Sequence, residues 1–190
     1  PATFLDRTTN MIRIHTVDPT AAPAASQPLL GAVQAKLGRV PNLMATMAHS
    51  PATLGGYLGL SQTLGEGLFS GAERERIALA VGEANGCDYC LAAHSAIGKM
   101  SGLTPDEIAA ARLGSSSDPK QAALASFART LTRNAGKVDA TTLADFKAAG
   151  WSDGHALEVV ANVALNTLTN YVNHLAGTEV DFPAAAALQT

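Results

Sequence analysis

The stretch "SGAERERIALAVGEANGCDYCLAAHSAIGK", residues 70–99, decides the fold. Ser70 followed three residues later by Glu73 is a capping box, in which hydroxyl and carboxylate satisfy free backbone N–H groups at a helix start. A helix is therefore predicted from residue 71. Asn85-Gly86 breaks it, since Gly takes the left-handed conformation that closes a helix at little steric cost. A second helix is predicted to begin at Cys87. At about 100° per residue, Cys87, Cys90 and His94 share a sector of roughly 60° on its face.

The same start and stop devices recur along the chain. Ser50-Pro51 pairs an N-cap with Pro at the first helical position and opens a segment to about residue 67. Thr104-Pro105-Asp106-Glu107 is a second capping box, and Leu113-Gly114 ends that short helix. Asp118 with Gln121, Asp139 and Ser152 each start a further helix, the last running to Gly177. No alternating apolar and polar run of useful length marks a strand. The fold class is all-α, with seven to nine helices in one domain over residues 29–190. Residues 15–28 are rich in Pro, Ala, Thr and Ser, so 1–28 reads as an extended N-terminal arm or leader. "GSSSDP" at 114–119 is too short a loop to divide the chain.

Of 190 residues, 47% are hydrophobic, 15% charged and only 5% aromatic. Abundant alanine suits closely packed helices, and so little charge predicts that some apolar surface is hidden between subunits of a homo-oligomer. A net charge of −3 leaves no electrostatic footprint for nucleic acid. No apolar run reaches the length that spans a bilayer. The N-terminus lacks the charged-then-apolar order of a secretory signal, and Met11 offers an internal start with residues 1–10 as leader. Two cysteines in such a chain argue for a cytoplasmic thiol pair rather than a disulfide framework.

Cys87 and Cys90 admit three readings: a redox pair, half of a metal site, or two small core residues. The metal reading lacks a second C-x-x-C or H-x3-H to close a tetrahedron. The redox reading is chemically coherent, because one sulfur can be activated while the other resolves its oxidised product. The helix dipole makes Cys87, in the first turn, the more acidic thiol. Cys90 and His94 stand at i and i+4, so the imidazole lies one turn from that sulfur. Glu75 or Glu83 could orient His94, and spacing does not choose between them. Tyr89 is a supporting candidate through its hydroxyl. His15, His49, His155 and His174 read as structural, and Glu73 to Arg76 as a solvated charge run. Asn162, Asn166, Asn170 and Asn173 recur at helical spacing, a stripe expected at an interface or on loop backbone rather than on substrate.

Written out, Glu75, Cys87, Cys90 and His94 form E-x11-C-x2-C-x3-H. This resembles the alkylhydroperoxidase core of the carboxymuconolactone decarboxylase superfamily, the AhpD-like proteins. "AVQAKLGRVPNLMATMAHSPATLGGYLGL" and "ALNTLTNYVNHLAGTEVDFP" resemble the two ends of its peroxidase-related branch, so the likeness covers most of residues 11–183. The resemblance implies an all-helical, cofactor-free, metal-free peroxidase, trimeric or hexameric. By position, Cys90 attacks a small hydroperoxide, Cys87 resolves the sulfenic acid, His94 and Glu75 relay the proton, and an external dithiol protein resets the disulfide. Tyr89 departs from the pattern, since well-studied members carry a histidine before the second cysteine. A protein disulfide reductase, a redox-sensing oligomeric module and a lactone decarboxylase are the alternatives; decarboxylase members typically lack the cysteine pair.

Overall fold

Nine helices and no strand make up the described residues, 11–188, of the computed structural model. The leader expected at residues 1–10 lies outside the described residues. The helices are α1 (Gln27–Leu37), α2 (Asn42–Met47), α3 (Pro51–Gly65), α4 (Gly71–Asn85), α5 (Asp88–Met100), α6 (Pro105–Arg112), α7 (Pro119–Arg133), α8 (Ala140–Ala148) and α9 (Asp153–Ala176).

The start signals hold at the residues that carry them. Ser70 and Thr104 form complete capping boxes with Glu73 and Glu107. Asp118 and Asp139 accept backbone N–H groups at the heads of α7 and α8. Ser152 caps α9 in a box whose third-position partner is His155, which accounts for that histidine structurally. Each such cap is worth about 1 kcal/mol, and together they set the helix boundaries more sharply than the alanine-rich interiors could.

Helix α4 is the hub. Every residue from Arg76 to Gly82 is buried, and the helix packs against α5, α6, α7 and α9. On one side Ile77, Ala80 and Val81 meet an aromatic core in which Phe127 stacks on Phe146 at 4.4 Å and Phe146 on Trp151 at 5.9 Å. On another side Leu79 meets Leu91, Leu103 and Ile108 of α5, α6 and the turn between them. A second apolar cluster joins Leu30, Met47 and Leu54 to Cys87, Tyr89 and Cys90, so the cysteine pair is packed inside the protein.

Among the described residues, the segment preceding α1 carries no helix or strand, turns at residues 19–21 and 24–26, and starts out beside the end of α9. Arg13 N–H donates to the Ala176 carbonyl at 2.7 Å, and Val17 N–H reaches Ala45 at 3.4 Å. At the other end of the chain, residues 178–188 run without regular structure past α2 and α5, and Asp181 anchors them. Its carboxylate accepts from Arg39 at 2.9 Å, from the Asn42 N–H at 3.1 Å and from the Tyr89 hydroxyl at 2.7 Å. No helix among the described residues is long and apolar enough to cross a membrane.

Candidate active site

The turn between α4 and α5 builds the site. Gly86 adopts φ +68°, where a side chain would be strained, and the Cys87 N–H turns back to the Gly82 carbonyl at 2.9 Å. Cys87 is thereby the N-cap of α5, one residue outside the helix. Its sulfur accepts the Cys90 N–H at 3.3 Å, the bond a serine or aspartate would make at a cap. The helices approach closely here, for a Cβ on Gly82 would touch Leu91 Cδ2 at 3.4 Å and Cys90 Cβ at 3.7 Å.

The two sulfurs are 2.6 Å apart, with Cys87 Sγ donating to Cys90 Sγ, and both residues are free thiols. Asn173 of α9 adds a second donor, its Nδ2 lying 3.3 Å from Cys90 Sγ and 3.9 Å from Cys87 Sγ. The Cys87 hydrogen bond, helped by His94 and Asn173 against the opposing effect of burial, holds the Cys90 thiol well below its ordinary value. The same shared proton, together with burial, pushes Cys87 up. The dipole reading that favoured Cys87 is therefore reversed. As an N-cap, Cys87 spends its sulfur on the helix backbone and on its neighbour, whereas Cys90 receives donors from both Cys87 and Asn173.

Glu75, not Glu83, faces the histidine. His94 Nδ1 lies 2.8 Å from Glu75 Oε2, a direct contact across the α4–α5 interface. Burial alone would depress the imidazole, but the Glu75 charge and hydrogen bond, with the Cys90 sulfur, outweigh it and raise its pKa. Glu83 is committed elsewhere, accepting from Arg112 Nε at 2.7 Å.

Tyr89 does not turn its hydroxyl on the sulfurs. That group donates to Asp181 and accepts from the Leu43 N–H at 3.2 Å, while its ring meets Phe182 edge-on at 5.7 Å. The supporting role expected of Tyr89 is thus one of holding the C-terminal segment against the site. His15 serves through its backbone carbonyl, which lies 2.9 Å from His49 Nε2, and His174 contacts the Gly86 carbonyl at 3.4 Å. The asparagine stripe is where the sequence reading fell short. Asn162, Asn166, Asn170 and Asn173 are buried on the inner face of α9. Besides the contact of Asn173 with the sulfurs, Asn170 Oδ1 accepts from Asn85 at 2.7 Å, bracing the α4–α5 turn. Four amides at helical spacing were visible in the sequence, but nothing local says which elements they face.

An apolar cavity of about 250 Å³ opens over the site. Leu43, Met44, Ala93, Ile97 and Phe182 line it, together with Tyr57, Cys90 and His94. Cys87 is not part of its wall, so Cys90 is the sulfur the cavity reaches. A smaller and more polar cavity of about 160 Å³ lies behind, with Glu75, Arg74 and Asn166 in its lining. His94, Tyr57 and Thr169 line both.

Residues 51–133 match the model of the carboxymuconolactone decarboxylase family. No curated protein matches the chain in sequence. Among solved structures, the chain is similar to an uncharacterized peroxidase-related protein from Ralstonia eutropha, described as an alkylhydroperoxidase AhpD core. The identity is 26% over 90% of this chain and 92% of that one, with a TM-score of 0.80. A peroxidase-related protein from Silicibacter sp. is 24% identical over 94% and 95% of the two chains, at a TM-score of 0.76. The debrominase Bmp8, solved with 2,3,4-tribromopyrrole, shares 20% identity over 90% and 92%, also at 0.76. Likeness at these last two levels carries the fold alone.

Proposed function

We propose that the chain, whose residues 51–133 match the carboxymuconolactone decarboxylase family and whose fold resembles an alkylhydroperoxidase AhpD core, is an AhpD-like member of that superfamily and a thiol-dependent hydroperoxide reductase. The observation that carries this reading is Cys90. It is the sulfur with the lowered pKa, it meets the apolar cavity, and Cys87 stands 2.6 Å away as a resolving thiol.

In the reaction the Cys90 thiolate attacks the terminal oxygen of a hydroperoxide. An S–O bond forms, the O–O bond breaks, and the departing alkoxide takes a proton to become the alcohol. His94, held protonated by Glu75, supplies that proton. Cys87 then attacks the sulfenic sulfur of Cys90; the disulfide forms and hydroxide leaves as water with the Cys87 proton. The dithiol has lost the two electrons that the peroxide gained. An external dithiol protein restores the pair by exchange, as a cytoplasmic reducing environment would favour.

We place the protein in a homo-oligomer, with a second copy covering α9. The outward residues of α9 are Leu157, Val160, Ala164, Leu168, Tyr171 and Leu175, and Leu157, Tyr171 and Leu175 are 73%, 61% and 66% exposed. Their spacing of three and four is that of a helix seam, which an identical helix complements.

Mass spectrometry of the reduced protein tests the central reading. One equivalent of cumene hydroperoxide should remove the two thiol hydrogens, Cys87→Ser should trap a sulfenic acid on Cys90, and Cys90→Ser should abolish the reaction. Two thiols still titrating after prolonged exposure would overturn it.

A further inference from the structure

The partition between the two cavities contains three polar side chains: His94, Thr169 and Tyr57. Two are already engaged. The Thr169 hydroxyl donates to the Asn166 carbonyl at 2.8 Å, and His94 Nδ1 is paired with Glu75. The third, Tyr57, projects from the middle of α3, partly buried against the cluster that holds both cysteines. Among the described residues its hydroxyl has no hydrogen-bond partner. A tyrosine that lines the same largely apolar cavity as a reactive sulfur, and whose hydroxyl has no partner of its own, is free to serve a ligand.

We propose that Tyr57 is a further catalytic residue of this site, donating its O–H to the leaving oxygen of the hydroperoxide while Cys90 Sγ attacks the terminal one. The inference rests on the hydroperoxide reductase reading. As the O–O bond breaks, an electron pair collects on the oxygen that becomes alkoxide, the strongest base to appear in the reaction. The Tyr57 hydrogen bond strengthens at that moment, and His94 provides the proton that completes the alcohol. A donor placed where negative charge develops accelerates the chemical step, because its interaction is stronger in the transition state than with bound substrate. Burial first, then the charges of Cys90 and Glu75, push the Tyr57 phenol up to about 12, so it remains a donor wherever Cys90 is a thiolate.

The test is Tyr57→Phe, which keeps the ring and hence the cavity wall, with three electrophiles compared. Cumene hydroperoxide leaves as an alkoxide and needs the donor; peracetic acid leaves as a stable carboxylate and needs it little. Iodoacetamide reports only the thiolate and its access. The expected result is a fall of about a hundredfold in the second-order rate with cumene hydroperoxide, the usual cost of one oxyanion donor. The rate with peracetic acid should fall less than about threefold, and alkylation should be unchanged. Across alkyl hydroperoxides of graded leaving-group acidity, the variant should show a steeper dependence than the wild type. Equal losses on hydroperoxide and peracid, or no loss on either, would overturn the role of Tyr57 and leave the reductase reading standing. A wild-type protein that alkylates readily yet consumes neither oxidant would overturn both.

Discussion

Glu75 and Glu83 show how much a residue's role depends on the face it occupies. Both are glutamates of α4, yet one meets His94 at 2.8 Å and the other Arg112 at 2.7 Å. Glu75→Gln removes the charge that raises the His94 pKa, and the second-order rate with hydroperoxide should fall about ten- to a thousandfold. Glu83→Gln should leave that rate nearly unchanged while lowering the melting temperature, since Arg112 would lose the charge of its partner. Stopped-flow kinetics on the two variants checks both, and equal losses in rate would show that the relay has been assigned to the wrong carboxylate. Asn173 is one of the donors that lower the Cys90 pKa, after Cys87, and its removal tests the pH dependence. The Cys90 thiolate forms as pH rises through its lowered pKa, and His94 loses its proton only above its raised one, so activity should occupy the window between them. Asn173→Leu removes a donor to the thiolate and should move the acidic limb upward by about one to two pH units, as expected for one hydrogen bond to a charged group. The basic limb should stay in place. Thiolate ultraviolet absorbance against pH, beside the rate profile, reads the shift directly.

Between elements, α4 and α6 are joined by the apolar cluster around Leu79 and Ile108 and by two partly buried ion pairs, Arg112–Glu83 and Arg76–Glu107. Arg76 is 7% exposed, its Nη2 meets Glu107 Oε1 at 2.5 Å, and its Nη1 has no protein partner among the described residues. Glu107 also closes the α6 capping box, and its carboxyl is held down at about 2 by the Thr104 backbone N–H first and then by Arg76. A depressed carboxylate contributes stability above its ordinary pKa, and that contribution is lost as pH falls through the folded value. The α4–α6 clasp should therefore weaken between about pH 4.5 and 2. Glu107→Gln keeps the capping geometry but leaves Arg76 buried without a counter-charge. It should cost about 1–3 kcal/mol, less than a fully buried pair because Glu107 is one-third exposed. Adding Arg76→Met should recover most of that loss, and urea denaturation of the single and double variants measures it.

At the scale of the whole molecule, the outer face of α9 is apolar along about 27 Å of helix, from Leu157 to Leu175. Its inner face carries the buried asparagines, so one helix both braces the site and presents the proposed seam. Leu168→Glu places a charge at the middle of that seam and should return the mass of a single chain in light scattering, with helix content intact. An unchanged assembly would move the interface elsewhere.

Helix boundaries were legible in the sequence because caps are local. Ser70, Thr104, Asp118, Asp139 and Ser152 act on backbone groups within three residues of themselves, so short-range chemistry determines where helices begin. The Cys87, Cys90 and His94 cluster was legible for the same reason, through the fixed pitch of a single helix. Contacts between helices decided the rest. Which glutamate meets His94, which sulfur faces a cavity, and whether the α9 asparagines point inward all depend on how separate helices pack. Packing sums many weak contacts between residues distant in the chain, and no single spacing records that sum. Tyr57 lies thirty-three residues before Cys90 and carries no motif. Only the packing of α3 on α9 and α2 brings Tyr57 into the lining of the reactive cavity.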